Sequence, residues 1–223
     1  EGYVPAPGDH IRLEAEFPGF EPVWAETDVP LTPAFELVSV SRRSVDTGDW
    51  GEWFGDDATY SEVDITLTVN DDGSYDKYYF LEPLGYVQEV GIPEPFLLSY
   101  SFRSSDIIFR QTSGSDLLSS AAVDDEESFY AGGYFSDALI KGQRHRFTIT
   151  LTWVSDYDLQ HMQKFGLRAA TVNESVYWYD YSYNQSLLSL GGLFAEGVTL
   201  YSNVTGGYGF FGGAAPVWID IEW

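Results

Sequence analysis

The side chains that could carry out acid–base or nucleophilic chemistry are few in this sequence. Its 223 residues include three histidines, His10, His145 and His161, and no cysteine. A serine nucleophile needs a base to activate it, and the Gly-x-Ser-x-Gly turn that exposes such a serine is missing. The histidine spacings are also too wide for a His-x-His or His-x-x-x-His zinc motif. We therefore expect no catalytic residues and no enzymatic activity.

Carboxylates are abundant, with 35 Asp and Glu against 11 Lys and Arg and a net charge of −24. This balance argues against nucleic acid or an anionic membrane surface as a partner, because both attract clustered Lys and Arg. With so many acids, carboxylate pairs must arise by chance, so a glycoside hydrolase-like enzyme is only a third alternative.

Asp71, Asp72 and Asp76 concentrate hard oxygen ligands in a loop that contains Gly73. Calcium prefers such oxygen ligands, although neither this loop nor the acidic stretch Asp124–Glu127 follows the EF-hand pattern. We interpret Asp71, Asp72 and Asp76 as candidate calcium ligands, with an ordinary solvated acidic loop as the alternative. No other cofactor is expected.

Aromatic residues indicate a binding role. Trp50, Trp53 and Phe54 lie in an acidic, glycine-containing stretch, Gly48–Asp57, that lacks the alternation of a strand. Flat aromatic faces stack well on sugar rings and on partner side chains. These three residues are the candidate contacts for a ligand or partner, and the alternative is a loop packed over the fold.

The elements that must position these residues are mostly strands. Hydrophobic residues make up 44% of the chain, enough for a sizeable core, and no apolar run approaches the ~20 residues of a membrane span. Runs of β-branched and aromatic residues separated by turn residues predict a β-sandwich of the Ig or jelly-roll type, with a closed barrel as an alternative. The predicted strands are Phe35–Val40, Ser61–Val69, Tyr78–Leu81, Leu97–Phe102, Ile107–Gln111, Arg146–Val154 and Val217–Trp223.

Two shorter strands, His10–Phe17 and Pro22–Thr27, precede a proline-rich segment at residues 30–33. Two strands alone are too few for independent stability. The boundary near Pro30 therefore predicts a first unit over residues 1–30 and a main β-sandwich domain over residues 31–223.

One helix is predicted over residues 173–190. Asn173 suits the N-cap position, Glu174 suits the positive end of the helix dipole, and Gly191 would end the helix. A tyrosine-rich strand is the competing interpretation, because Tyr177, Tyr179, Tyr181 and Tyr183 alternate with other residues.

The closing segment resembles a known family. Phe194-Ala195-Glu196-Gly197-Val198 is followed by Tyr201-Ser202-Asn203-Val204 and by the glycine-dense run of residues 206–212. This order is similar to the "F-x-E-P-V … Y-S-N-I … G-G-x-G-x-F-G" pattern of an uncharacterised Bacteroidetes outer-membrane lipoprotein family, domain of unknown function 4249. Gly197 stands where proline is usual in that family.

Further stretches resemble the same family. They are Pro7–Leu13 with Ala25–Pro30, which looks like the end of its N-terminal Ig-like region, the Tyr78–Phe80 strand, and the turn from Phe135 to Gln143. The resemblance also favours the helix over residues 173–190.

The resemblance implies an extracytoplasmic protein at the cell surface. It implies a leader and a lipidated cysteine upstream of Glu1, so that contact with the outer membrane is through a lipid anchor only. The function it implies is a non-catalytic accessory subunit of a TonB-dependent transporter. A free-standing carbohydrate-binding module, with a glycan as partner, is the alternative.

Overall fold

The computed structural model describes residues 4–45, 60–88, 91, 94–110, 128–130, 133–189 and 199–222. The strands in this part are β1 (His10–Ala15), β2 (Val23–Asp28), β3 (Phe35–Val45), β4 (Tyr60–Asn70), β5 (Tyr78–Val87), β6 (Phe96–Ser99), β7 (Phe102–Ser104), β8 (Ser128–Tyr130), β9 (Gly133–Ser136), β10 (Arg144–Ser155), β11 (Met162–Val172) and β12 (Ala214–Asp220). The helices are α1 (Ile107–Arg110), α2 (Asp156–His161) and α3 (Glu174–Ser189), with a 3-10 turn at Asp137–Leu139.

The strands form two larger sheets and one hairpin. The first sheet has the order β3-β4-β10-β7-β8, and the second has the order β12-β11-β5-β6, with β9 also paired to β5. All of these pairings are antiparallel. Each sheet ends in edge strands within the described part of the chain, so the predicted β-sandwich is confirmed and the barrel alternative is not.

The core lies between the two sheets and is built from strands with a two-residue period. The first sheet contributes alternate residues such as Val63 and Ile65 from β4 and Ile149 and Leu151 from β10, all fully buried. A cluster of aromatic rings continues this core, with Phe135 of β9 at its centre. The sandwich therefore buries the apolar alternation that the sequence shows.

Helix α3 packs on the outer face of the second sheet. The Asn173 side chain accepts a hydrogen bond from the Val176 backbone N–H at 3.4 Å, as an N-cap residue does. Tyr177 is buried, and its ring lies 4.6 Å from that of Tyr78 on β5. The prediction of a helix near residues 173–190 is confirmed.

The β1–β2 hairpin forms a two-stranded sheet of its own and is joined to the main body by a β-bridge and a side-chain contact. Trp24 and Thr205 exchange backbone hydrogen bonds of 3.1 and 2.8 Å, and the Asn173 side chain donates to the hydroxyl of Thr27. The hairpin is thus attached at its β2 side, while the boundary near Pro30 stays a prediction.

The structure differs from several local predictions. The predicted strand Leu97–Phe102 is divided between β6 of the second sheet and β7 of the first. The segment predicted as strand Ile107–Gln111 contains helix α1, because the Asp106 carboxylate accepts the Ile108 backbone N–H at 3.1 Å and starts a turn. Strand β11, which lies inside the second sheet, was not predicted at all. Within the described residues, no helix is long and apolar enough to cross a membrane.

Candidate binding surface

The aromatic residues predicted to bind a ligand or partner, Trp50, Trp53 and Phe54, lie outside the described residues. Their role stays a prediction. The candidate calcium ligands Asp71, Asp72 and Asp76 are described, and they lie in the connection between β4 and β5.

Asp71 is a buried carboxylate surrounded by donors. Its Oδ1 atom accepts the backbone N–H groups of Gly73 and Gly142, both at 2.7 Å, and its Oδ2 atom accepts the Tyr79 hydroxyl at 2.8 Å. The buried ammonium of Lys77 lies 3.5 Å from Oδ2. Asp71 therefore joins the β4–β5 connection to the β9–β10 connection, which lies 71 residues away in the chain.

The neighbouring acids are paired with lysines. Lys77 also bonds Asp72, and Lys141 bonds Asp76. Burial opposes ionisation of Asp71, but the hydrogen bonds and the Lys77 charge hold its pKa below the ordinary value. The Lys77 and Ser74 donors likewise lower the pKa of Asp72.

Lys77 thus bridges Asp71 and Asp72, and we call this contact the lysine bridge. Across the described ranges, no group of three or more acidic or histidine side chains is arranged to hold a metal ion. A calcium ion at Asp71 and Asp72 would have to displace Lys77, and the effect of calcium on thermal unfolding tests whether it does.

Asp137 is a second buried carboxylate beside this loop. Its backbone N–H donates to the Lys77 carbonyl at 2.9 Å, whereas its Oδ2 atom has no hydrogen-bond partner among the described residues. Burial raises the pKa of Asp137, and the negative charges of Asp71 and Asp76 add to this effect, against Lys141. Ionised Asp137 therefore lowers the free energy of unfolding.

Asp137→Asn is expected to increase the free energy of unfolding at neutral pH by about 1–3 kcal/mol, because it removes an incompletely paired buried charge. The folded pKa of Asp137 lies above its ordinary value of 3.8. The destabilisation by ionised Asp137 is therefore absent below pH 3.8. It grows as the pH rises above that value and is complete above the folded pKa. Urea unfolding at several pH values measures this. A gain of equal size at acidic and neutral pH would contradict the account.

Three side chains are the most exposed aromatic residues in the described structure. Phe17 and Phe20 flank the turn between β1 and β2 and are 71% and 74% exposed, and Tyr208 is 96% exposed. The rings of Phe17 and Phe20 lie 5.8 Å apart. We call these three residues the aromatic tip.

The loop that carries Tyr208 lies beside the β1–β2 hairpin. The Thr205 backbone pairs with Trp24, and the next residue, Gly206, packs against the Pro22 carbonyl, where a Cβ atom would come within 2.8 Å. Gly206 also has a φ of +80°, which favours glycine. The contacts at Pro22 and Trp24 bring the Tyr208 turn and the Phe20 turn to the same end of the molecule.

The loop after Tyr208 is fixed by one asparagine. The Asn203 side chain accepts the Phe211 backbone N–H and donates to the Phe211 carbonyl, both at 2.8 Å. Between these residues, Phe210 stacks on Tyr179 of α3 with ring centroids 4.0 Å apart. The loop is therefore held on two sides, and it presents Tyr208 without covering it.

Acidic residues surround the phenylalanines of the aromatic tip. Glu16 and Glu21 are exposed and adjoin Phe17 and Phe20 in the chain, whereas the exposed Glu14 pairs with Arg12. Neighbouring carboxylates repel an anionic surface, whereas they attract a cationic one. The tip therefore combines apolar contact area with negative charge.

The residues of the aromatic tip were not among the binding residues predicted from the sequence. The glycine-dense run does contain left-handed backbone, since Gly206 and Gly209 have φ values of +80° and +141°. A phenylalanine on each side of Pro18-Gly19 and a tyrosine between glycines were the available signals, because turn residues seldom bury large side chains.

Comparison with known proteins gives one match. Residues 1–217 match the family described as "Domain of unknown function (DUF4249)". None of the curated proteins matches the chain, and none of the solved structures does.

Proposed function

The chain belongs to the DUF4249 family, and on this premise we propose that it is a non-catalytic binding subunit that docks a partner protein through the aromatic tip. The observation that carries the proposal is the exposure of Phe17, Phe20 and Tyr208 on two turns that the fold holds side by side. Large aromatic side chains at the centre of an interface commonly supply most of its binding energy.

The chemistry of the tip favours a particular kind of partner. Three exposed aromatic rings beside Glu16 and Glu21 suit a protein surface that offers an apolar pocket rimmed by Lys or Arg. The chain's net charge of −24 would strengthen the attraction at low ionic strength. A second copy of the same acidic chain is disfavoured by the same charge.

We place this subunit at the cell surface as a lipid-anchored outer-membrane protein, with a TonB-dependent transporter as the partner. The support is the resemblance of the closing glycine-rich segment to outer-membrane lipoproteins. In this arrangement the lipid would hold the chain at the membrane, and the aromatic tip would contact the transporter.

Isolation of the native complex tests the proposal. The full-length protein would be expressed in its own host with all three tip residues changed to serine, and compared with an Ile107→Ser control. Ile107 is also exposed, but it lies on α1, away from the hairpin. We expect the tip variant to recover at least about tenfold less of the partner than the wild type does. The reason is that each hot-spot residue contributes about 2 kcal/mol or more to binding.

Unchanged recovery of the same partner by the tip variant would refute docking through the tip. Recovery of the wild-type lipoprotein alone, with no transporter, would refute the transporter assignment. Matching thermal unfolding of the three proteins shows that folding is not responsible for a loss.

A further inference from the structure

The outer face of the second sheet is only partly covered by helix α3. The helix packs over one end of this face through Tyr177, where Ala170 and Val172 of β11 are buried. Toward the other end of the same strands, Tyr86 and Leu97 are paired neighbours and are 38% and 47% exposed. This second part of the face is open to solvent among the described residues.

Register places a group of large and charged side chains on the open part. Trp218 of β12, Arg168 of β11 and Glu82 of β5 form one row across three strands, and Lys164 pairs with Tyr86 two rows farther along. Paired residues of neighbouring strands point to the same face. The sheet platform consists of these residues and Asp220: Trp218, Tyr86, Lys164, Arg168, Glu82 and Asp220.

The Trp218 ring is held in a defined position. It lies against Gly166 of β11, where a Cβ atom would come within 2.7 Å of the indole. Its Nε1–H donates to the Asp220 carboxylate at 2.7 Å, and the Tyr86 ring is 6.2 Å away at an angle of 54°. The exposed Lys164 ammonium lies 4.8 Å from the centre of the indole ring, so a ligand that stacks there would have to move this side chain. A half-buried indole fixed in this way loses little side-chain freedom when it binds a ligand.

The charges of the sheet platform cancel. Arg168 bonds Glu82, and the Lys164 ammonium lies 3.2 Å from the Asp220 carboxylate. Two bases and two acids thus surround the aromatic pair on a chain whose net charge is −24. A charged ligand would meet no complementary net charge here, whereas a neutral polyol would find both donors and acceptors.

A groove adjoins the platform at Lys164 and Asp220. It has a volume of about 330 Å³ and is also lined by Met162, Phe165 and Glu222. This volume is at the lower end of the range of small-ligand sites, about 300–1,000 Å³. A ligand stacked on Trp218 could extend into it.

We propose that the sheet platform binds a neutral oligosaccharide, with a pyranose ring on the Trp218–Tyr86 pair and its hydroxyl groups hydrogen-bonded to the surrounding charged side chains. Aromatic rings bind the apolar faces of sugars, and fixed polar groups at the edge select their hydroxyls. This site goes beyond the partner contact of the aromatic tip and uses none of its residues.

The test is a titration of the purified chain with neutral hexasaccharides, namely maltohexaose, cellohexaose, xylohexaose and mannohexaose, followed by NMR of the tryptophan indole N–H signals. We expect at least one of them to shift the Trp218 signal saturably. Tyr86→Ala and Trp218→Ala should each weaken that binding roughly tenfold or more. Trp178→Ala is the matched control, because Trp178 is also partly exposed and its Nε1–H also donates to a carboxylate, that of Glu174 at 3.0 Å.

Three results would overturn the proposal: no saturable binding of any neutral probe, unchanged affinity in Tyr86→Ala, or binding of only an acidic galacturonic acid oligomer. If Trp218→Ala fails to fold, Tyr86→Ala and the indole shifts still decide the matter, since Tyr86 is well exposed. Retained glycan binding in a protein with a serine-substituted aromatic tip would separate this site from the proposed function.

Discussion

Replacing Asp71 with alanine is expected to lower the free energy of unfolding by about 3–5 kcal/mol, the usual effect of breaking a buried, hydrogen-bonded ion pair. The change leaves the buried Lys77 ammonium without its buried counter-charge, and it removes the acceptor of the Tyr79 hydroxyl. It also removes the carboxylate oxygen that accepts the backbone N–H groups of both Gly73 and Gly142. Urea unfolding followed by circular dichroism measures the loss.

Asp76→Ala is the matched control, because Asp76 stands in the same loop but is largely exposed and pairs with the partly exposed Lys141. Exposed ion pairs contribute little to stability, so we expect a much smaller change. An equal loss in the two variants would mean that the buried position of Asp71 is irrelevant, and would contradict the account.

The loss in Asp71→Ala should depend on pH in a defined direction. The folded pKa of Asp71 lies below its ordinary value of 3.8. Its stabilising effect is therefore fully present above that value and is lost as the pH falls through the folded pKa. The difference between the variant and the wild type should shrink accordingly in strong acid.

The same measurement separates the lysine bridge from the predicted calcium site. Lys77 lies between Asp71 and Asp72 and occupies the place of a calcium ion. Thermal unfolding of the wild type should therefore be the same in about 1 mM calcium as in a chelator. Extracellular calcium modules typically bind calcium at about this concentration. A clear increase of Tm with calcium, lost in Asp71→Ala, would instead establish calcium binding at this loop.

The second large effect is expected at the centre of the aromatic core. Phe135→Ala should lower the free energy of unfolding by about 3–5 kcal/mol, because it leaves a cavity between the sheets. Phe135 is fully buried, and its ring lies 5.1 Å from Tyr79 of the second sheet and 6.0 Å from Phe147 of the first. Chemical denaturation measures this loss as well.

Phe135→Leu should cost clearly less, at most about 1.5–2 kcal/mol, because leucine fills most of the space. If alanine and leucine were tolerated equally well, Phe135 would not lie between two packed sheets. That result would contradict the β-sandwich.

Most of the fold could be predicted because its strands have a strong two-residue period. Val63, Ile65 and Leu67 alternate with polar residues, and one face alone is buried between the sheets. The helix after Asn173 was recognisable from its cap and its first-turn Glu174. These signals depend on residues that are close together in the chain, so they can be recognised from the sequence alone.

Strand β11 was missed for a physical reason. It has a sheet neighbour on each side, and residues 165–167 and 169–172 are all buried, so its sequence does not alternate between apolar and polar residues. It also contains Gly166, Ala169 and Ala170, which have low strand propensity. Only the neighbouring strands β5 and β12 give this segment its conformation.

The candidate sites were less predictable because they join distant residues. Asp71 meets Gly142 across 71 residues, and Tyr208 comes to the hairpin through the pairing of Thr205 with Trp24. Sequence spacing indicated acidic ligands at Asp71, but it held no sign that Lys77 would fold back onto them. The platform at Trp218 likewise depends on strand register, which the sequence leaves open.

The most direct test of the proposed partner contact is photocrosslinking from the aromatic tip in the native host. A benzophenone amino acid would replace Tyr208, and in a separate protein Leu139, which is exposed on the 3-10 turn after β9. The account predicts that position 208 crosslinks to one outer-membrane transporter and that position 139 does not. Crosslinking of the transporter from position 139 but not from position 208 would contradict it.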